Sequence, residues 1–134
     1  MALRIPPVNC KIEIFSSLNP SEDSEKVKKS IYNVLPNSKI LSDEISIIGE
    51  SSNVQSLEKI YESIHSKQSQ RVFQRQLKKH VDRNTTWFYL NKQTAFVKKI
   101  VLCEEADESP LGPLKVVLTS PDIDRIIDFL VLEG

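Results

Sequence analysis

Five basic residues, Lys67, Arg71, Arg75, Lys78 and Lys79, recur at nearly helical intervals in this chain. On a helix turning about 100° per residue they fall within an arc of roughly 120° and span about 18 Å of axis. Phe73, Leu77, His80 and Val81 take the opposite side, so the spacing predicts a helix that buries its apolar residues and presents its cations together. Such a row matches several successive phosphates of a nucleic-acid strand. The stretch Ser66 to Lys99 holds nine Lys or Arg against one acid, Asp82. It therefore carries a net charge of +8, and the remainder −8, in a chain whose formal charge is zero. Polarisation of this kind points to a polyanion or an acidic partner surface rather than to catalysis.

Directly after this helix stands Trp87-Phe88-Tyr89-Leu90. In a strand Trp87 and Tyr89 share one face and Phe88 and Leu90 the other. With Phe88 and Leu90 in the core, Trp87 and Tyr89 would lie on the outer face beside the basic region, where bases could stack on them. The turn Asn91-Lys92-Gln93-Thr94 is predicted to join this strand to a neighbour over Ala95 to Cys103, with Lys92 and Gln93 reaching for phosphates or base edges. The predicted nucleic-acid contacts are thus Lys67, Arg71, Arg75, Lys78, Lys79, Trp87, Tyr89, Lys92 and Gln93.

Little else suggests chemistry. The two histidines, His65 and His80, have no acid at a suggestive spacing. The run Glu104-Glu105-Ala106-Asp107-Glu108 lacks the alternating ligands and central Gly of a calcium loop. Three glycines leave no phosphate-cradling loop. Cys10 and Cys103, the only cysteines, read as buried, inert thiols rather than a disulfide or zinc ligands. No catalytic residue, metal or cofactor is predicted. The apolar runs are far shorter than the ~20 residues of a membrane span, and the start of the chain lacks a signal-peptide apolar region. A cytoplasmic protein with no membrane partner is expected.

The elements that must position these residues follow from periodicity and punctuation. At 134 residues the chain is expected to be one domain, 1–134. Val8 to Phe15 reads as a strand, with Ile12 and Ile14 on one face and Lys11 and Glu13 on the other. Asn19-Pro20-Ser21-Glu22 has the form of a helix start, with Asn19 as cap and Glu22 reaching back. Val27, Ile31, Val34 and Leu35 supply that helix's buried stripe. A strand is expected over Glu44 to Ile48, with Ile45 and Ile47 inward and Gly49 ending it. Helices follow over Val54 to Ser66 and Ser69 to Asp82, then the two strands of the aromatic hairpin. Leu114 to Thr119 is a further strand, and Ser120-Pro121-Asp122 caps a last helix packed by Ile123, Ile126, Ile127 and Leu130. The resulting order, β-α-β-α-α-β-β-β-α, predicts a two-layer α+β domain with an antiparallel or mixed sheet and helices on one face.

Three strings, Asn19-Pro20-Ser21-Glu22-Asp23, Phe88-Tyr89-Leu90-Asn91-Lys92-Gln93-Thr94-Ala95-Phe96 and Ser109-Pro110-Leu111-Gly112-Pro113, in this order and spacing, resemble an uncharacterised archaeal protein family. That family is described as predicted RNA-binding proteins or exosome-associated subunits. The resemblance covers nearly the whole chain. It implies a fold like that of the large-subunit ribosomal protein that binds the five-S RNA, with RNA and an exosome- or ribosome-related protein as partners. The chain departs from the family's pattern at Lys98, where Gly follows Phe-Val, and at Thr94 in place of Ala. The residues themselves support two functions, a non-catalytic RNA-binding protein and an interaction or scaffold subunit. The second would dock its basic face on an acidic partner or, as a homo-oligomer, on the acidic face of another copy.

Overall fold

The computed structural model describes residues 8–108 and 111–132. The strands are β1 (Lys11–Ser17), β2 (Lys39–Ser42), β3 (Ser46–Ser51), β4 (Thr85–Asn91), β5 (Leu102–Cys103) and β6 (Pro113–Thr119). The helices are α1 (Ser24–Val34), α2 (Glu58–Ser66), α3 (Gln70–Lys79), α4 (Lys92–Phe96) and α5 (Ile123–Val131), with a 3-10 turn at Val54–Leu57 leading into α2. All six strands join one sheet in the order β2-β3-β1-β6-β4-β5, every pair antiparallel. The expected α+β class holds.

Strand alternation builds the two faces. Ile12, Ile14, Phe88, Leu90, Val116 and Leu118 point into the helix layer and are fully buried. There they meet Val27, Ile31 and Val34 of α1, Phe73 and Leu77 of α3, and Ile126 and Leu130 of α5. Burying a large aliphatic or aromatic side chain contributes about 1.5–3 kcal/mol, so this single cluster is the main source of stability. Among the described residues no α-helix lies over the opposite face, although Cys103 at its β5 end is buried and the 3-10 turn Ala106–Glu108 contacts β6.

Several expected boundaries move. Ile45 is not inward but 75% exposed. It sits in the β2–β3 turn, where the Asp43 carboxylate accepts the Ile45 and Ser46 N–H groups, each at 2.8 Å. Those two bonds hold the Asp43 carboxyl below its ordinary pKa. Gly49 lies inside β3 rather than ending it. A Cβ there would come within 2.5 Å of the Ile31 methyl, so its role is the close approach of α1 to the sheet.

The first helix begins later than expected, at Ser24, with Asp23 as cap accepting from the Glu25 N–H at 3.0 Å. Asn19 and Glu22 instead close a turn of their own: the Glu22 carboxylate accepts the Asn19 N–H at 3.1 Å and its side-chain amide at 2.6 Å. The largest departure is Ala95 to Cys103. Only Leu102–Cys103 pairs with β4, and Lys92–Phe96 is a helical turn, capped by Asn91 accepting from the Thr94 N–H at 2.9 Å. The observed order is therefore β-α-β-β-α-α-β-α-β-β-α. Ser109 and Pro110 lie outside the described residues. Gly112 adopts φ +81°, a conformation that glycine takes without steric cost.

Candidate nucleic-acid interface

Helix α3 buries Phe73, Gln76 and Leu77 and leaves Arg71, Arg75, Lys78 and Lys79 exposed. These four cations occupy one side of the helix, and among the described residues none forms an ion pair. Asp124 and Asp128 of α5 share a shallow groove with Lys78. Unpaired cations on a rigid helix keep their charge available to a ligand, screened only by salt.

Lys67 does not belong to this row. Helix α2 ends at Ser66 and Gln68 turns left-handed, φ +52°, so the chain breaks before α3 starts. The break swings Lys67 toward the loop after α4, where its ammonium donates to the Ile100 carbonyl at 3.2 Å. The continuous arc of five cations is corrected to four, with Lys67 joining Lys59, Lys98 and Lys99 in a separate depression.

The bare face of the sheet carries Trp87 and Tyr89, both partly exposed, while Phe88 and Leu90 are buried beneath them. The register extends this surface into a row across the sheet: Leu41, Ile48, Phe15, Lys115 and Tyr89 lie on successive strands, and Cys103, buried, closes the row at β5. Trp87 is already packed on its ring. The His80 imidazole stacks on it at 3.6 Å between centroids, and the Lys115 ammonium lies 4.6 Å from its centroid. His80 also donates its Nδ1–H to the Trp87 carbonyl at 2.9 Å, where β4 pairs with β6 on one side and lies beyond β5 on the other. Tyr89 is tilted 56° against Trp87, and both it and Phe15 are partly exposed. The α3 cations face outward from the helix layer, and these aromatic residues face away from it. His80, at the end of α3, joins the two surfaces at the β4 edge. Phe15, His80 and Lys115 were missed as candidates, although alternation from Ile12 and Ile14, and from Leu114 and Val116, points Phe15 and Lys115 outward.

Lys92 is a clear correction. It is 3% exposed, and its ammonium donates to the Ser17 carbonyl at 3.0 Å, the Leu111 carbonyl at 2.9 Å and both Glu22 carboxylate oxygens at 3.0 and 3.2 Å. The Asn19 amide bridges the same carboxylate to the Leu111 carbonyl at 3.1 Å. Burial pushes the Glu22 carboxyl up, but the Asn19 hydrogen bonds and the Lys92 cation outweigh it and hold the group below its ordinary value. A buried ammonium with these acceptors cannot reach an external phosphate. Residues from all three strings behind the family resemblance meet in this knot. Gln93, next to it, is exposed beside Lys26 and Phe96.

Cys10 and Cys103 are free and buried, and burial raises the Cys10 thiol to about 11. Burial, with Glu108 adding to it, also raises Cys103. Thiolates, the reactive form, are thereby suppressed. Among the described residues no helix is long and apolar enough to cross a membrane.

Comparison with known proteins identifies the architecture. A family model described as RNA binding matches residues 11–119. A UPF0201 protein of Methanothermobacter thermautotrophicus is 33% identical over 122 residues, covering 90% of this chain and 89% of that one. The crystal structure of a UPF0201 protein from Methanococcus jannaschii superposes with a TM-score of 0.78 at 27% identity, covering 92% of this chain and 94% of that one. A UPF0200/UPF0201 protein of Archaeoglobus fulgidus is 30% identical over 128 residues, covering 93% of this chain but 38% of that protein. With the family model spanning most of its length, the chain belongs to the archaeal UPF0201 family, whose model carries the description RNA binding.

Proposed function

We propose that the protein is a non-catalytic RNA-binding protein that grips the phosphate backbone with Arg71, Arg75, Lys78 and Lys79. The observation that carries this reading is the α3 row, four exposed cations on one rigid face with no ion pair among the described residues. The family model's description supports the choice of RNA as the polyanion. Tyr89 and Phe15 on the bare sheet face are the stacking candidates, with Lys115 between them in register. Trp87 serves by stacking only where a base displaces His80 or Lys115 from its ring.

Polarisation binding of a labelled single-stranded RNA over a salt series tests this. Each phosphate neutralised contributes a slope of about 0.7 in log K against log salt, so the four cations predict a fall near 3. Reversing Arg71, Arg75 and Lys79 to Glu is expected to abolish most of the affinity and flatten the slope. Trp87 is the single tryptophan, and quenching of its emission by RNA would add the sheet face to the interface. No binding at low salt, or affinity unchanged by the triple reversal, defeats the proposal.

A second reading, an interaction subunit, has one observation in its favour. The Archaeoglobus fulgidus relative bears both the UPF0200 and UPF0201 names in one longer chain. In organisms that make the parts separately, a UPF0200 protein is then the natural partner. Light scattering of the mixed pair should give a complex that dissociates with rising salt; two unshifted species would exclude it.

A further inference from the structure

A second basic site lies away from α3. A depression of about 500 Å³ is lined by Lys59, Lys67, Lys98 and Lys99, with Tyr32 and Glu62 on its wall. This volume is within the range of small-ligand sites. Three helices end around it: α1 contributes Tyr32, α2 ends at Ser66 beside Lys67, and α4 ends at Phe96 before Lys98.

Lysines near helix C-termini commonly balance the negative end of the dipole, so that role must be weighed first. Each terminus carries about half a negative charge, so three supply roughly −1.5, and Glu62 brings the total to about −2.5. Four ammonium groups exceed this by about +1.5. The carbonyls around the end of α4 are also already occupied. Asn33 donates to the Ala95 and Phe96 carbonyls at 2.9 and 3.1 Å, and the Lys99 N–H to that of Thr94 at 2.9 Å. Lys67 and Ser63 take the Ile100 carbonyl. The side chains of Lys59, Lys98 and Lys99 hydrogen-bond to nothing among the described residues, and Glu62 forms no ion pair with any of the four.

Lys98 adds an independent sign. It holds φ +65°, and the bonds from the Lys98 N–H to the Ala95 carbonyl and from the Lys99 N–H to the Thr94 carbonyl close a helix-ending motif in which glycine is usual. A lysine here keeps a strained backbone that glycine would relieve, and in doing so sets a cation on the rim of the depression.

We propose that this depression binds a terminal phosphate monoester of a nucleotide, with the lysines on the phosphate and Tyr32, 45% exposed, against the base. The surplus of about +1.5 matches the −1.5 to −2 of a phosphate monoester at neutral pH better than the single charge of an internal phosphodiester. The geometry agrees. The α3 cations form a line suited to a strand, whereas these four lysines share a single depression suited to an end. The inference that the ligand is an RNA end rests on the RNA-binding reading above; recognition of the phosphate itself does not.

The test compares one short oligoribonucleotide carrying a 5′-phosphate, a 3′-phosphate or hydroxyl ends, alongside adenosine 5′-monophosphate, by polarisation and calorimetry. The protein is expected to prefer a phosphorylated end by about tenfold over hydroxyl ends, the strength of one or two added charge-assisted contacts. Lys98→Gly should lose several-fold of that preference while melting no lower than the parent chain. Lys67→Gln with Lys99→Gln should remove it. Charge reversal on α3 should weaken all oligonucleotides alike and leave the preference intact. Equal affinity for phosphorylated and hydroxyl ends overturns the RNA-end assignment but not RNA binding. If no oligonucleotide binds, the RNA reading falls, and the phosphate site then stands only on Lys98-dependent binding of the free nucleotide and falls without it.

Discussion

The two ends of the five-residue helix α4 carry lysines with opposite fates. Lys92 begins the helix, at the positive end of its dipole, and is buried against a carboxylate and two carbonyls. Lys98 follows the other end, where the dipole favours a cation, and projects into solvent with no partner among the described residues. Local electrostatics alone would assign the comfortable, structural role to Lys98 and the free one to Lys92. The reverse is observed, because Glu22 and the Ser17 and Leu111 carbonyls are brought to Lys92 by distant parts of the chain. Charge counted along a sequence therefore overstates what a ligand can use: of the nine cations between Ser66 and Lys99, Lys92 is spent internally and Lys67 is partly held by the Ile100 carbonyl.

The sharpest way to break this contrast is to remove one partner of the buried pair. Lys92→Met or Glu22→Gln alone is expected to cost about 3–5 kcal/mol, since either leaves a desolvated charge or its acceptors unmatched. That corresponds to a fall in melting temperature on the order of 10 °C. The double variant should lose much less than the sum, and strict additivity in urea denaturation would mean the two groups do not act as a unit. A smaller effect comes from acid. Because the Glu22 pKa is lowered from 4.5, its contribution is complete above that value and is lost as pH falls below it toward the depressed folded value. Urea midpoints from about pH 6 to 3 should drop more steeply for the parent chain than for Glu22→Gln; parallel curves would remove Glu22 from the acid transition. The smallest effect lies at the other end of α4. Lys98→Gly should stabilise by no more than about 1 kcal/mol, because relief of the left-handed backbone is partly offset by the freedom glycine gains when unfolded. A loss instead would mean that the Lys98 side chain supports the fold.

These two lysines also mark how far the sequence could be read. Period-two alternation was sufficient for Ile12, Ile14, Phe88 and Leu90, and helical spacing for α1, α3 and α5, because those patterns arise from which side of an element faces the core. Lys92 gave no such signal. Between Asn91 and Gln93 it looks like a solvated turn, and its carboxylate partner is 70 residues away. The break that removes Lys67 from the α3 row is equally silent, since Gln68 turns left-handed without a Gly or Pro to announce it. Ala95 to Cys103 resembled a strand because Phe96, Val97, Ile100, Val101 and Leu102 favour extended structure. Yet the Asn91 cap and the anchored Lys92 wind its first part into a helix. The departure noted at Lys98 acquires a reason only with the backbone angle, which places it where glycine is favoured.

The knot around Lys92 also bears on how long the folded chain lasts. Its bonds reach back 75 residues to Ser17 and 70 to Glu22, and the Asn19 amide spans 92 residues to Leu111. Contacts across such separations form after most of the intervening chain is ordered, because loop closure opposes them earlier. Interactions absent from the folding transition state act on the unfolding rate alone. Stopped-flow traces of Lys92→Met should therefore show faster unfolding with little change in refolding, whereas slowed refolding would assign the knot to the folding nucleus. Three short segments spaced along the whole chain thus work as a latch: they contribute little to assembling the fold, and they set the lifetime of the assembled state.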